Sequence, residues 1–302
     1  MKIIFMGTPD YAEKILERLI QTQDIEIVAV YTQPDKPVGR KKVMTPPVVK
    51  TLAQKNSIDV YQPTRLRDEE VVEELLAIAC DYIVVAAYGQ ILPRAILDHA
   101  PCINLHASIL PQYRGASPIQ QTLLNDDKTT GVTAMLMEEG LDTGDILKID
   151  TVAVPKDMMG ETLFDSLTEV AATLTIDVLQ NFQMYTPKKQ VESEASHCKK
   201  ITKQDGLVTF ANAYEIYNKY RAFTPWPGIY LESGMKLKKI DLVDKCALGK
   251  SGTIIAINKD NILVACDKGV IRIYSVQPQS KKEMSVIAYI NGKRLGIEDT
   301  LS

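Results

Sequence analysis

Cysteine is scarce in this sequence and follows no pattern. The five residues, Cys80, Cys102, Cys198, Cys246 and Cys266, are odd in number and include no Cys-x-x-Cys pair. Neither a disulfide framework nor a zinc site is indicated, and most of the five are expected to be small buried apolar side chains. Long hydrophobic runs are missing as well. No stretch approaches the ~20 consecutive apolar residues that a membrane span needs. The chain also opens directly on an apolar strand, without a basic, then apolar, then small-residue leader, so a cytoplasmic protein with no membrane partner is expected. Glycine is thin where a dinucleotide would require it. The first strand-to-helix turn, Gly7-Thr8-Pro9-Asp10, holds one glycine and a proline. It therefore lacks the Gly-x-Gly-x-x-Gly that lets a pyrophosphate approach the backbone, which disfavours a nicotinamide-dependent oxidoreductase.

What is present is ordinary in amount and uneven in placement. With 302 residues, 45% apolar and 24% charged, the chain can bury a sizeable core in about two domains. The formal net charge is −3, but residues 186–302 hold 19 Lys and Arg against 12 Asp and Glu, whereas residues 1–185 hold 16 against 26. This asymmetry suggests a basic C-terminal domain facing a polyanion and an N-terminal domain that carries chemistry. A solvated surface without function would show the same charge.

Hydrophobic periodicity predicts a strand over 2–7, a helix carrying Ala12, Ile15, Leu16, Leu19 and Ile20, and a strand over 25–31. Helical patterns at 47–56 and 68–79 then alternate with strands at 59–61, 82–87 and 102–106. Such alternation implies an α/β, Rossmann-like, mostly parallel sheet covered by helices. Strands at 131–137 and 146–154 and a helix at 161–185 complete it. The polar stretch 186–195 marks a change of pattern, and the expected division is a catalytic domain over 1–189, a linker over 190–205 and a second domain over 206–302. In the last part, 207–210, a helix at 214–222 and strand-like runs at 229–232, 235–243, 253–258, 261–266 and 270–277 suggest a small β-barrel of the oligonucleotide-binding type.

The stretch Asn104-Leu105-His106-Ala107-Ser108-Ile109-Leu110-Pro111 places an amide, an imidazole and a hydroxyl at the end of a short apolar run. On a strand, residues i and i+2 share a face, so Asn104 and His106 project side by side. An imidazole can exchange a proton near neutral pH and an amide can donate to an oxyanion, which suits acyl chemistry. On that pattern alone, a buried structural pair stays equally open.

The same residues resemble the Asn-x-His-x-Ser-Leu-Leu-Pro signature of formyltransferases that use 10-formyltetrahydrofolate, with Ile109 as the single departure. Gly140-Leu141-Asp142-Thr143-Gly144 resembles the Gly-x-Asp-x-Gly turn of that family, and Tyr88-Gly89-Gln90-Ile91-Leu92-Pro93 its pterin-contacting segment. The segment Thr32-Gln33-Pro34-Asp35-Lys36-Pro37-Val38-Gly39-Arg40 resembles the insertion carried by methionyl-tRNA formyltransferases. Arg221-Ala222-Phe223-Thr224-Pro225-Trp226-Pro227-Gly228 resembles the family's C-terminal signature. In it Trp226, the single tryptophan, reads as a packing anchor.

The resemblance implies that a formyl group passes from 10-formyltetrahydrofolate to the amine of initiator methionyl-tRNA. It implies catalytic roles for Asn104, His106 and Asp142, with folate contacts from Ser108, Ile109, Leu110, Pro111, Gln90, Ile91 and Leu92. Arg40, Lys41 and Lys42 in the basic loop, together with Lys203, Lys236, Lys238 and Lys239, are expected to face tRNA. No metal is required, and a monomer is expected. The alternatives are a folate-dependent formyltransferase acting on a small amine such as an amino sugar, a formyltetrahydrofolate hydrolase, and a non-catalytic RNA-binding protein.

Overall fold

A computed structural model describes residues 1–39 and 41–301. It divides into two compact units. The first comprises residues 1–118, 129–154 and 163–198; the second comprises 119–128, 155–162 and 199–302.

The first unit is built on a seven-stranded sheet. Its order is Ile146–Ala153, Thr129–Leu136, Cys102–His106, Tyr82–Ala86, Lys2–Gly7, Glu26–Tyr31, Val60–Tyr61. The five strands from Cys102–His106 to Val60–Tyr61 are parallel, and the two beyond Cys102–His106 are antiparallel. Parallel strands are covered on both faces, which is why Ile3, Ile4, Phe5 and Met6 run consecutively apolar and are all buried. The helix Asp10–Gln21 lays Tyr11, Ala12, Ile15, Leu16 and Leu19 on the sheet, with Asp10 and Glu13 in its first turn and Arg18 in its last, as the helix dipole favours. Cys102–His106 therefore lies where parallel pairing gives way to antiparallel pairing. Its carboxyl end opens at the edge where sheets of this kind bind ligands.

Several segments differ in detail from the expected elements, two of them in the first unit being the long helix and the basic loop. The helix expected to reach 185 ends at Gln180, after which the Asn181 side chain donates to the Asp177 carbonyl at 3.1 Å and a short turn, Phe182–Met184, follows. The basic loop carries a small hairpin, Lys36–Val38 against Val43–Thr45. Its base is pinned by Asp35, which accepts from Lys50 Nζ at 2.9 Å and from Gln62 Nε2 at 2.8 Å. These two hydrogen bonds hold the Asp35 carboxyl below its ordinary range.

The polar stretch 188–198 is packed onto the first unit. Lys188 exchanges backbone hydrogen bonds with Ile146, and His197–Cys198 pairs in parallel with Arg114–Gly115.

The second unit holds an antiparallel sheet in the order Ile229–Tyr230, Lys236–Leu248, Lys268–Gln277, Ile262–Ala265, Ile254–Ile257. Met284–Ser285 also pairs with Lys268–Gln277. The helix Ala213–Phe223 starts at Asn212, whose side chain accepts from Tyr214 N at 3.0 Å, a cap worth about 1 kcal/mol. That helix is joined to residues 119–128 through a buried charge. Arg221 Nη2 donates to Asp126 Oδ1 at 2.9 Å and to Asn218 Oδ1 at 2.8 Å. Tyr214 and Lys128 also donate to Asp126.

Burial alone would raise the Asp126 carboxyl, but the hydrogen bonds from Lys128 and Tyr214 and the charges of Lys128 and Arg221 hold it below the usual range. A depressed folded pKa contributes stability that is complete above about pH 4 and is lost as pH falls further. Arg221→Ala removes the buried partner of Asp126 and leaves Lys128 and Tyr214 to hold the carboxylate, so a loss of roughly 2 kcal/mol is expected. Urea denaturation at pH 7 checks the size. Between pH 5 and pH 3 the variant should lose less stability than the wild type, and an equal loss in both would remove Asp126 from the account.

Candidate active site

Asn104 and His106 sit on alternate register positions of one strand, opposite Met135 and Thr133, and retain 9% and 6% of their exposure. The turn that carries Asp142 meets both side chains. Asn104 Nδ2 donates to Asp142 Oδ1 at 3.4 Å, and the Gly115 backbone N–H donates to Asp142 Oδ2 at 2.8 Å. The imidazole is held from its far side, where Nε2 lies 2.9 Å from the Tyr113 carbonyl oxygen. A carbonyl only accepts, so Nε2 carries hydrogen, and Nδ1 is the edge turned to Asp142, with Oδ2 at 3.6 Å. That distance is too long for a hydrogen bond, so Nδ1 remains open to a third group.

The backbone explains why this turn has the sequence it has. Asp142 adopts φ +55°, in the left-handed region that asparagine and aspartate tolerate better than most residues. A Cβ at Gly144 would overlap the Leu136 carbonyl oxygen. Gly115 combines φ +113° with a close approach to the Cys198 carbonyl, and this is how its N–H can face Asp142.

A formyl transferase family model matches residues 1–179, and a model of the formyl transferase C-terminal domain matches residues 200–294. The methionyl-tRNA formyltransferase of Sulfurimonas denitrificans is 68% identical over 302 residues, covering 100% of both chains. That of a Nitratiruptor species is 57% identical, covering 99% of each. The chain belongs to the methionyl-tRNA formyltransferase family.

Solved structures share the fold at low identity. An N-formyltransferase from Helicobacter canadensis, in complex with folinic acid and dTDP-3-aminofucose, superposes with a TM-score of 0.66 at 17% identity, covering 91% of this chain and 98% of that one. HypX from Aquifex aeolicus, in complex with tetrahydrofolic acid, gives 0.62 at 15%, covering 100% of this chain and 49% of that one.

The other expected contact residues are distributed unevenly in this family member. Within 108–111, Ser108 and Leu110 are buried: Ser108 Oγ donates to the Gln112 carbonyl at 2.6 Å, and Leu110 N donates to Thr133 Oγ1 at 3.1 Å. Ile109 and Pro111 keep partial exposure. Gln90 is engaged with its own neighbourhood, accepting from Leu66 N at 2.7 Å and donating to the Pro63 carbonyl at 3.0 Å. Leu92 belongs to the apolar core, whereas Ile91 projects with 79% exposure. Leu141, beside Asp142, is exposed too.

Of the expected RNA-facing residues, Arg40 lies outside the described residues, while Lys41 and Lys42 are exposed in the hairpin turn. In the second unit Lys203 and Lys239 are exposed, Lys236 and Lys238 partly so. Lys236 and Lys238 line one shallow depression with Thr224, Pro225, Gly228, Ile229 and Leu237. Trp226 corrects the sequence reading. It is no packing anchor but stands 61% exposed, while Phe223 and Ile229 on either side fill the core.

Sequence reasoning also assigned no part to Gln190 or Arg114. Gln190 Nε2 donates to the carbonyls of Asp142 and Gly144, both at 2.8 Å, and Arg114 Nε donates to Gln190 Oε1 at 3.1 Å. Gln190 falls in a polar stretch that reads as connecting chain, so no local signal marked it.

Proposed function

We propose that the protein transfers the formyl group of 10-formyltetrahydrofolate to the free α-amine of initiator methionyl-tRNA. The observation that carries this reading is the Asp142 carboxylate, which gathers the Asn104 amide and the Gly115 N–H while facing the imidazole edge of His106. The uncharged amine attacks the formyl carbon, and the carbonyl π pair moves onto oxygen. Asn104 has two N–H bonds and spends one on Asp142, so the other can donate to the oxyanion. The Nδ1 edge of His106 supplies a second donor when protonated, and Asp142 stabilises that imidazolium. The proton lost by the attacking nitrogen passes through this pair to N10 of the folate as the C–N10 bond breaks. In that same step the oxyanion pair re-forms the carbonyl and expels N10, leaving a formamide and tetrahydrofolate.

Ser108, Ile109, Leu110, Pro111, Gln90, Ile91 and Leu92 are the proposed folate-binding segments, with Ile109, Pro111 and Ile91 presenting side-chain surface. Residues 1–189 would carry the chemistry, 206–302 would bind tRNA, and 190–205 would join them. The cytoplasm is the compartment such a step in translation requires. The deciding assay offers purified protein and 10-formyltetrahydrofolate either methionyl-tRNA or a dTDP-amino sugar, since fold neighbours include sugar formyltransferases. Formylation of the sugar nucleotide but not of the tRNA would overturn the reading.

The basic second unit carries a separate expectation. Lys236, Lys238 and Lys239, replaced together by alanine, should weaken all tRNAs alike and lower the slope of log affinity against log salt by about 0.9 for each phosphate no longer neutralised. Trp226, the one tryptophan, should report binding near this face through quenching of its emission as deacylated tRNA is titrated at low salt. An unchanged salt slope with undisturbed emission would place the RNA elsewhere.

A further inference from the structure

We infer that Gln190 is a positioning residue that sets the separation between His106 and Asp142. The inference rests on the roles proposed above for those two groups. His106 and Asp142 are joined by a run of contacts through Gln190. His106 Nε2 donates to the carbonyl of Tyr113, and Tyr113 is followed by Arg114. Arg114 Nε donates to Gln190 Oε1, and Gln190 Nε2 donates to the carbonyls of Asp142 and Gly144. Asp142 then faces His106 Nδ1 at 3.6 Å. The two groups proposed to share a proton are thus the two ends of one chain of contacts in which Gln190 bonds both to Arg114 and to the Asp142 turn, alongside the direct bond from the Gly115 N–H to Asp142 Oδ2.

The chemistry of the link is specific to a glutamine. A primary amide has two donor hydrogens and an acceptor oxygen. Here the two carbonyls take the donors, and a guanidinium that can only donate takes the acceptor. The turn also needs holding. Asp142 keeps a left-handed backbone with φ +55°, a conformation that persists where surrounding contacts over-determine it. Arg114 is itself buried, and its backbone N–H donates to the Ser196 carbonyl at 2.9 Å, so Gln190 hangs from a held point.

Two isosteric variants separate positioning from plain stability. Gln190→Glu keeps an acceptor for Arg114 and adds an opposite charge to it, but sets carboxylate lone pairs against two carbonyl oxygens. Gln190→Met keeps the length and loses every hydrogen bond. Because a misplacement of about 1 Å at reacting groups costs on the order of 100-fold, both are expected to lower kcat by about 10- to 100-fold while KM for 10-formyltetrahydrofolate stays within about twofold. Turnover is expressed per molecule that binds 5-formyltetrahydrofolate in calorimetric titration, so that unfolded protein is not counted. A merely structural Gln190 would lower the thermal midpoint and leave that kcat unchanged, and this result overturns the proposal. Gln190→Asn keeps an amide one methylene shorter and serves where the other two do not fold; wild-type kcat in it counts equally against the proposal. His106→Ala, run beside them, identifies which reading has failed. Full activity in His106→Ala removes the reading of the site, whereas a large loss there with none in the Gln190 variants removes the positioning role alone.

Discussion

His106→Ala is expected to lower kcat by about 100-fold or more, with Asn104→Ala close behind, because single acid–base or oxyanion groups are worth about 100- to 10,000-fold in well-ordered sites. The effect on folding should be far smaller. Removing the imidazole withdraws one donor from the Tyr113 carbonyl, Nε2 at 2.9 Å, while the Cys198 thiol at 3.4 Å remains, and one hydrogen bond is worth roughly 0.5–1.5 kcal/mol. His106→Gln separates the two contributions. Its side-chain amide can still donate towards Tyr113 but cannot take up or release a proton, so it should recover stability and leave turnover as low as in the alanine variant. Steady-state kinetics at saturating methionyl-tRNA, read beside thermal midpoints, provide the check. Near wild-type turnover in His106→Gln would mean that His106 serves as a hydrogen-bond donor only, and the proton route would have to start from Asp142.

The pairing of Asn104 with His106 was legible in the chain because a strand's period of two is a local property, and Cys102–His106 is the strand that the apolar run predicts. The sheet was legible for the same reason: Lys2–Gly7 and its parallel neighbours are continuous apolar runs with no competing signal. Asp142 was different. It stands on a turn after the next strand, and no periodicity connects it to His106; only likeness to the family's Gly-x-Asp-x-Gly turn pointed there. Gln190 lay beyond both kinds of signal. A polar residue in a polar stretch reads as solvated chain, and its value comes from two backbone carbonyls and one buried guanidinium that meet only in the folded unit. Trp226 was misjudged because aromatic area usually wins burial. Here Phe223 and Ile229 fill the core, and the Pro225–Trp226–Pro227 turn carries the indole outward.

Asp142→Asn is expected to preserve fold and folate affinity and to lower kcat by about 100-fold or more. The variant is nearly isosteric. With its oxygen placed to accept from the Gly115 N–H, as Oδ2 does at 2.8 Å, its amino group must face the Asn104 amide nitrogen, where Oδ1 now accepts at 3.4 Å. A donor then meets a donor, and Asn104 is no longer oriented towards an oxyanion. The larger loss concerns charge. At 3.6 Å and an effective dielectric of about 20, a carboxylate attracts an imidazolium by roughly 5 kcal/mol. A neutral amide forgoes that attraction in the state where His106 holds the proton taken from the attacking amine. Because the attraction grows only as that proton arrives, the deficit should fall on kcat and spare KM for 10-formyltetrahydrofolate. A structural carboxylate would behave in the opposite way. Weaker thermal stability with undiminished turnover per folded molecule would place Asp142 outside the chemistry, leaving Asn104 and His106 to act without a shared counter-charge.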